Sequence, residues 1–240
     1  MNVFDLVIRP LRILVNKILK EKHIDDFRWS TYTQFDYAPQ LNLLSRKGYE
    51  FLLTDQMISE LRSGNELTLD ALHSPHLALY KLCLGVEPTN VLEVGAGAGY
   101  HMINLSKLLS STEVHGVDLL PSQVELGQKM FPNHQKLLSK IQIMDFANSQ
   151  QVEDIPTKFD VVYTQAVTMH LSIEKAARMV NNMIRVSNKY VFLVEEFYSS
   201  HDYEVFARDI SSQHPGLIYS LIPVENSTSG IVKFTLPALG

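Results

Sequence analysis

Residues 91–99 read Val-Leu-Glu-Val-Gly-Ala-Gly-Ala-Gly, an apolar segment that runs into three glycines at alternate positions. The acid Glu93 lies two residues before the first glycine. Glycine adopts positive φ angles and lets the backbone approach a ligand closely, so glycines after a buried strand are typical of a tight loop that opens a helix. The stretch therefore predicts a strand, a loop suited to a nucleotide-like ligand, and a helix N-terminus.

The spacing of these glycines discriminates between ligands. In the dinucleotide fingerprint the third glycine comes three residues after the second. Here that position holds Tyr100, and the third glycine is Gly99. The spacing disfavours NAD as the ligand, and a plain strand-to-helix turn remains the simplest alternative.

Composition restricts the class of protein. The chain has 240 residues, 45% of them hydrophobic, and this length favours one α/β domain plus an extra segment. The net charge of -5 argues against a nucleic-acid partner. No run approaches the roughly 18 apolar residues of a membrane span. The single cysteine, Cys83, excludes an internal disulfide. Without a recognisable signal peptide, we expect a cytoplasmic protein.

Pro88 separates two parts of the chain. Residues 1–87 read mostly helical and predict a cap or lid, whereas residues 88–240 alternate strands and helices as in βαβ crossovers. Turn-rich residues 225–229 predict a C-terminal hairpin. The predicted strands are 90–94, 113–117, 140–144, 159–163, 189–195, 217–224 and 230–236, and the predicted later helices are 100–109, 172–186, 202–213 and one after Pro121.

Acids stand at the ends of two further predicted strands. Asp118 ends the second strand, where a carboxylate accepts hydrogen bonds from both hydroxyls of a ribose, and its alternative is a helix N-cap. Asp145 and Phe146 end the third strand. Open α/β sheets bind ligands at the carboxyl ends of their strands, so these positions predict one nucleoside site.

The stretch from Glu93 to Gly99, with Asp118, Asp145 and Phe159–His170, resembles the class I S-adenosylmethionine-dependent methyltransferases. The resemblance implies a doubly wound, mostly parallel seven-stranded α/β sheet with an N-terminal helical extension, and S-adenosylmethionine as cofactor. It implies cofactor binding by Glu93, Gly95, Ala96, Gly97, Gly99, Tyr100, Asp118, Leu119, Asp145, Phe146 and Gln165. Asp145 and Phe146 would contact adenine.

The same resemblance places the acceptor at the end of the fourth strand. Methyltransferases of nucleobase or side-chain amides carry an Asn or Asp and Pro-Pro there, whereas this chain has residues 163–166, Tyr-Thr-Gln-Ala. Residues 164–171 and 182–196 are similar to methyltransferases of bacterial surface sugars and small metabolites, which favours a small-molecule or glycan hydroxyl. His170 is the candidate general base, and Glu195 a second catalytic candidate.

Both catalytic candidates have alternative structural roles, and the activity has alternatives as well. His170 would otherwise cap or pack the following helix, and Glu195 and Glu196 would be solvated acids at a strand end. The rival functions are a noncatalytic S-adenosylmethionine-binding protein, an N-methyltransferase of an amino group, and a nicotinamide oxidoreductase.

The N-terminal part carries two further patterns. Phe4–Leu19 predicts an amphipathic helix with a basic face, which suits a peripheral membrane contact or packing over the cleft or against a second subunit of a homodimer. Aromatic residues at 27–51 predict a lid or pocket wall, or simple docking on the core. His73 and His76 are pocket candidates, and no metal is predicted.

Overall fold

The computed structural model describes residues 33–46, 51–64, 73–153, 155–197, 201–225 and 227–238. Seven strands form one sheet: β1 (Asn90–Val94), β2 (Glu113–Asp118), β3 (Ile141–Ile143), β4 (Phe159–Gln165), β5 (Ser187–Glu196), β6 (Ile218–Pro223) and β7 (Ser229–Thr235). Their order is β3-β2-β1-β4-β5-β7-β6. Strands β1 to β5 run parallel, and β7 is inserted antiparallel between β5 and β6.

The helices lie between and before the strands. They are α1 (Ala38–Arg46), α2 (Asp55–Ser63), α3 (Ser74–Val86), α4 (Tyr100–Leu108), α5 (Pro121–Met130), α6 (Gln135–Leu138), α7 (Ser149–Glu153), α8 (Ile173–Arg185) and α9 (Tyr203–Gln213). A π-helical turn at Thr33–Tyr37 precedes α1, and 3₁₀ turns occupy Pro132–His134 and Thr168–His170. Ser172 caps α8 by accepting a hydrogen bond from the Lys175 amide at 3.2 Å.

Each face of the sheet packs against its own hydrophobic cluster. The central strands are buried on both faces, as expected for parallel strands covered on both sides. One cluster contains side chains of helices α2 through α6 and of the sheet, among them Tyr80, Met102 and Phe192. The other joins α8 and α9 with Met183 and Phe206. Leu41, Phe51 and Leu53, which precede the sheet in the chain, belong to the first cluster, so the described N-terminal segments share the core of the sheet.

The predicted fold class is confirmed: the sheet has seven strands, is mostly parallel, and ends in an antiparallel hairpin. The predicted amphipathic helix Phe4–Leu19 and most of the aromatic residues at 27–51 lie outside the described residues, so their roles stay predictions. Within the described part of the chain, no helix combines the length and apolar character needed to cross a bilayer.

Candidate functional site

The sheet positions the site where its strand order reverses. From β1 the chain moves outward to β2 and β3 and then returns to β4 on the other side of β1. Connections at such a point leave in opposite directions and open a crevice at the carboxyl ends of the strands. The glycine loop follows β1 at this edge, and Asp118 and Gln165 end the flanking strands.

The glycine loop has a backbone that only glycine adopts readily. Gly95, Gly97 and Gly99 have φ angles of 79°, 55° and 76°. A Cβ atom at Gly95 would overlap the side chain of Val167, and one at Gly97 would lie 2.7 Å from the Tyr37 hydroxyl. The loop is therefore pressed between two other segments of the site.

Asp118 fixes the shape of this loop. Its Oδ2 accepts a hydrogen bond from the Gly97 amide at 2.7 Å, and its Oδ1 accepts one from the Leu120 amide at 2.7 Å. Burial raises the pKa of the Asp118 carboxyl, and the two amide donors partly offset that rise. Each carboxylate oxygen has a second lone pair, so the group retains capacity for the two hydroxyls of a ribose.

Main-chain bonds join the loop to β2. The amides of Gly95 and Ala96 both donate to the Val117 carbonyl, at 2.8 and 3.0 Å. The side chain of Ala96 is buried, and its amide holds the loop against β2.

Glu93 is a buried acid with capacity for a further partner. The side chain is 1% exposed, and its Oε2 has no hydrogen-bond partner among the described residues. It lies opposite Tyr163 in the β1–β4 register. Burial raises the pKa of the Glu93 carboxyl well above its usual range; the neighbouring Tyr163 hydroxyl opposes the rise, and the negative charge of Asp118 adds to it. An orphaned polar atom beneath a glycine loop fits a ligand that brings hydrogen-bond donors.

The segment before α1 covers the loop. The Tyr37 hydroxyl accepts a hydrogen bond from the Ala98 amide at 3.2 Å, and Ser122 donates to Thr33 at 2.9 Å. Gln123 on α5 lies at the same place, since its Oε1 would be 3.0 Å from a Cβ at Gly97. Sequence reasoning included Tyr37 only in an aromatic-rich stretch and missed Gln123, because neither position has a motif of its own.

Tyr100 opens α4 within a cluster of rings. Its ring centroid lies 5.5 Å from that of Phe51 and 4.2 Å from that of His101. His76 packs edge-on against His101 at 4.4 Å, and the rings of His73 and His76 are 5.1 Å apart. This groups the two predicted pocket histidines with Tyr100. The described residues contain no set of three or more metal-ligating side chains arranged for an ion.

The two predicted adenine contacts, Asp145 and Phe146, differ in how accessible they are to a ligand. Asp145 accepts the Ala147 amide at 3.0 Å and lies 3.4 Å from the Lys175 ammonium group. Phe146 is only 4% exposed and packs in the second hydrophobic cluster, where little of its ring is available to a ligand. Leu119, which follows Asp118, is 37% exposed and offers an apolar surface beside it.

Glu195, one of the two catalytic candidates, holds the loop after β4. Glu195 accepts hydrogen bonds from the amides of Val167, Thr168 and Met169, at 3.2, 3.0 and 3.4 Å. Burial raises the pKa of the Glu195 carboxyl to about 7, while these amide donors oppose the rise. The expectation of a solvated acid is wrong for Glu195, because the residue is 1% exposed, whereas Glu196 is exposed.

Two more side chains hold Thr168 in this loop. Its hydroxyl lies 3.0 Å from the Tyr203 hydroxyl, and its carbonyl oxygen accepts from His201 Nε2 at 3.0 Å. Ala166, the first residue of the loop, has a φ of 55°, a conformation that costs energy for a side chain with a Cβ. The loop is therefore strained at its start and firmly bonded along its length.

His170 ends the 3₁₀ turn of the same loop and is half-buried. It is not the cap of α8, because that position belongs to Ser172. Gln165 lies at the last position of β4, half-buried, and its Oε1 is 2.9 Å from His101 Nε2. Gln165 and His170 thus bracket the loop at the carboxyl edge of the sheet.

Comparisons with known proteins agree with this arrangement. A family described as "Methyltransferase domain" matches residues 91–189, from β1 to the start of β5. No curated protein has a significantly similar sequence.

Solved structures share the fold at low identity. The plantazolicin methyltransferase BpumL, in complex with SAH, is 11% identical with a TM-score of 0.57, over 93% of this chain and 100% of that one. Magnesium protoporphyrin IX methyltransferase from Synechocystis PCC 6803, with bound SAH, is 13% identical with a TM-score of 0.57, over 87% and 97%. An O-methyltransferase from Bacillus cereus, also with SAH, is 14% identical with a TM-score of 0.54, over 77% and 92%.

Proposed function

We propose that this chain, whose residues 91–189 match a methyltransferase-domain family, is a class I S-adenosylmethionine-dependent methyltransferase that transfers the methyl group to a hydroxyl group of a small molecule. S-adenosylmethionine is the cofactor of the domain. The observation that carries the hydroxyl acceptor is the edge of the sheet after β4, where Gln165 and His170 flank a rigid loop beside the glycine loop.

The cofactor-binding residues divide by the part of the ligand that each suits. Glu93 and the glycine loop would hold the methionine portion, because the buried Glu93 Oε2 needs a donor and the ligand's ammonium group has three. Asp118 would accept hydrogen bonds from the ribose, with Leu119 beside it as an apolar surface. Asp145 stays the candidate for the adenine amine. When bound, the cofactor supplies an electrophilic methyl group on a sulfonium.

His170 is the proposed general base. An imidazole titrates near neutral pH and takes the proton of a hydroxyl as its oxygen attacks. The loop that carries His170 has three amides bonded to Glu195, so the ring starts from a backbone of fixed shape. Glu195 thereby acts through the loop, as a positioning residue for the base.

The residues at the end of β4 disfavour the amide substrates of other methyltransferases. Residues 163–166 lack the Asn or Asp and Pro-Pro of enzymes that methylate nucleobases or side-chain amides. A net charge of -5 gives a nucleic-acid backbone little electrostatic attraction. We therefore favour small acceptors, with sugars as the first class to examine.

Turnover over a panel of acceptors tests the proposal. The full chain is supplied with S-adenosylmethionine and sugars, phenols, amines and carboxylic acids, and formation of S-adenosylhomocysteine is measured. We expect product with a hydroxyl compound and a fall in kcat of about 10²–10⁴-fold in His170→Ala. His134→Ala, in the turn Pro132–His134, is the matched control and should keep the native rate.

Exclusive turnover of amines would contradict the hydroxyl assignment. An unchanged kcat in His170→Ala, with an identified hydroxyl substrate, would remove His170 from the mechanism and leave the methyltransferase assignment intact.

A further inference from the structure

Four side chains form a continuous hydrogen-bonded relay from the core to the acceptor edge. Asn104 Nδ2 lies 2.8 Å from the Tyr80 hydroxyl, which lies 2.8 Å from His101 Nδ1. His101 Nε2 then lies 2.9 Å from Gln165 Oε1. Tyr80, His101 and Asn104 are all at most 3% exposed, so the relay reaches water only at its Gln165 end.

The backbone fixes the orientation of the first amide in the relay. The Leu53 amide donates to Asn104 Oδ1 at 2.8 Å, and the Phe51 carbonyl accepts from Asn104 Nδ2 at 2.8 Å. A backbone N–H only donates and a carbonyl only accepts, so Asn104 cannot be reversed without losing both bonds. The second hydrogen on Nδ2 is therefore directed at the oxygen of Tyr80.

This orientation propagates through the next two groups. The Tyr80 oxygen accepts from Asn104, and its hydroxyl donates to His101 Nδ1, because Gln165 Oε1 can only accept and therefore fixes the proton of the ring on Nε2. Neutral imidazole carries one proton, so an accepting Nδ1 places that proton on Nε2, which donates to Gln165 Oε1. Burial lowers the pKa of His101 to about 4, and the nearby His73 adds to the effect, so the ring stays neutral.

The hydrogen bond from His101 also fixes the orientation of the Gln165 amide. With Gln165 Oε1 engaged by His101, the Gln165 NH₂ group carries two hydrogens that have no partner among the described residues. Gln165 is half-buried at the end of β4, next to the loop that ends in His170. An amide hydrogen is attracted to an oxygen lone pair, whereas a protonated amine has no lone pair to offer.

We propose that Gln165 is a specificity-determining residue that donates a hydrogen bond to an oxygen of the acceptor, and that Asn104, Tyr80 and His101 position its amide. The inference rests on the proposed function for its acceptor, but the direction of the relay stands apart from it. The acceptor class is a small molecule with an oxygen at or beside the methylated atom.

The tautomer of His101 tests the relay without any substrate. Two-dimensional NMR of the ¹⁵N-histidine-labelled full chain, loaded with S-adenosylhomocysteine, distinguishes protonation at Nε2 from protonation at Nδ1. We expect a neutral Nε2–H ring from about pH 5.5 to about pH 8.5. Tyr80→Phe should shift His101 toward the Nδ1–H form, because the donor to Nδ1 is gone. A native Nδ1–H ring, or titration near neutral pH, overturns the relay.

Gln165→Glu tests the specificity. Glutamate still accepts from His101 Nε2 but has no hydrogen to donate. Matched pairs of small molecules, with a hydroxyl or a primary amine at one position, serve as acceptors. For the hydroxyl member we expect KM to rise about tenfold or more, by a clearly larger factor than any fall in affinity for S-adenosylhomocysteine. Gln135→Glu, on an exposed face of α6, is the control and should behave as native.

Three outcomes contradict the role of Gln165. They are an unchanged KM in Gln165→Glu, a loss of affinity for S-adenosylhomocysteine as large as the rise in KM, and a native preference for the amine member of each pair. If the native chain turns over no acceptor, the proposed function fails, while the His101 tautomer still confirms or overturns the relay.

Discussion

Asp118 shapes the glycine loop, and in the proposed function the same carboxylate also binds the ribose. Both oxygens are already bonded to backbone amides, one in the glycine loop and one after β2. The group therefore shapes the loop before any ligand arrives. A ribose would then bind to an acceptor that is already oriented, which reduces the entropy lost on binding.

The substitution Asp118→Asn tests this dual task. The amide nitrogen of Asn would face either the Gly97 or the Leu120 N–H, so one backbone donor loses its acceptor. Hydrogen bonds to charged groups contribute about 1.5–3 kcal/mol, so we expect affinity for S-adenosylmethionine to fall about 10–150-fold by titration calorimetry. Asp209→Asn, on an exposed part of α9, should leave affinity unchanged, and an equal effect of both would contradict the prediction.

Glu195 makes stability depend on pH. Its pKa is raised from 4.5 to about 7 in the folded chain, so the folded state binds more protons than the unfolded state between those values. The contribution of Glu195 to stability should therefore fall as pH rises through this window, by up to about 3 kcal/mol. Urea unfolding at several pH values measures the slope.

Glu195→Gln supplies the comparison. The glutamine oxygen still accepts from the Val167 and Thr168 amides, which share Oε1, while the longer bond from Met169 is lost. Because glutamine has no charge to bury, the variant should lose this fall in stability between about pH 5 and about pH 8. Parallel pH profiles for the two proteins would show that Glu195 titrates at its ordinary pKa.

At the residue level, the sequence predicts positions best where chemistry and chain position coincide. Gly95 follows β1 directly and Asp118 ends β2, and the structure brings the glycine loop and Asp118 together at the edge that the strand pattern predicts. The relay was not predictable, because Tyr80, Asn104 and Gln165 lie on three elements whose packing is set by the core.

At the scale of elements, the glycine loop and the loop after β4 support one another. Gly95 leaves space that Val167 fills, and Val167 belongs to the segment that Glu195 holds. The two loops carry the proposed cofactor and acceptor sites respectively. A change at their contact should therefore affect both sites.

Gly95→Ala and Gly64→Ala form a matched pair for that contact. Both glycines have positive φ, 79° and 74°, but a Cβ at Gly64 meets nothing within 4 Å among the described residues. Gly64→Ala should cost only the backbone strain, about 1–2 kcal/mol. Gly95→Ala should cost about 1–3 kcal/mol more from overlap with Val167, and should weaken binding of S-adenosylmethionine.

Urea unfolding and calorimetry on both variants measure the two effects. Equal losses of stability, with cofactor affinity retained in Gly95→Ala, would show that the loops do not depend on one another.

The order and type of elements were predictable because buried parallel strands read as short apolar runs between helical periods. The exact bounds of the strands were less predictable. Strand β5 begins at Ser187, two residues before the predicted start, and β4 extends to Gln165, two residues beyond the predicted end. Polar residues at strand ends pair in the sheet without any apolar signal.

At the scale of the whole molecule, the described N-terminal segments are part of the same core as the sheet. Asn104 on α4 bonds the backbone at Phe51 and Leu53, and Arg62 on α2 donates to the carbonyls of Lys107 and Leu108. The helical pattern before Pro88 predicts a cap or lid for residues 1–87. Its described parts border the glycine loop and the relay, so changes there should affect both proposed sites.

Titration calorimetry of the full chain with S-adenosylmethionine and, separately, with NAD⁺ tests the central claim most directly. The glycine spacing, Asp118 and the buried Glu93 together predict saturable binding of S-adenosylmethionine at one site per chain and no heat of binding with NAD⁺. Saturable binding of NAD⁺ with none of S-adenosylmethionine would contradict the assignment of the site.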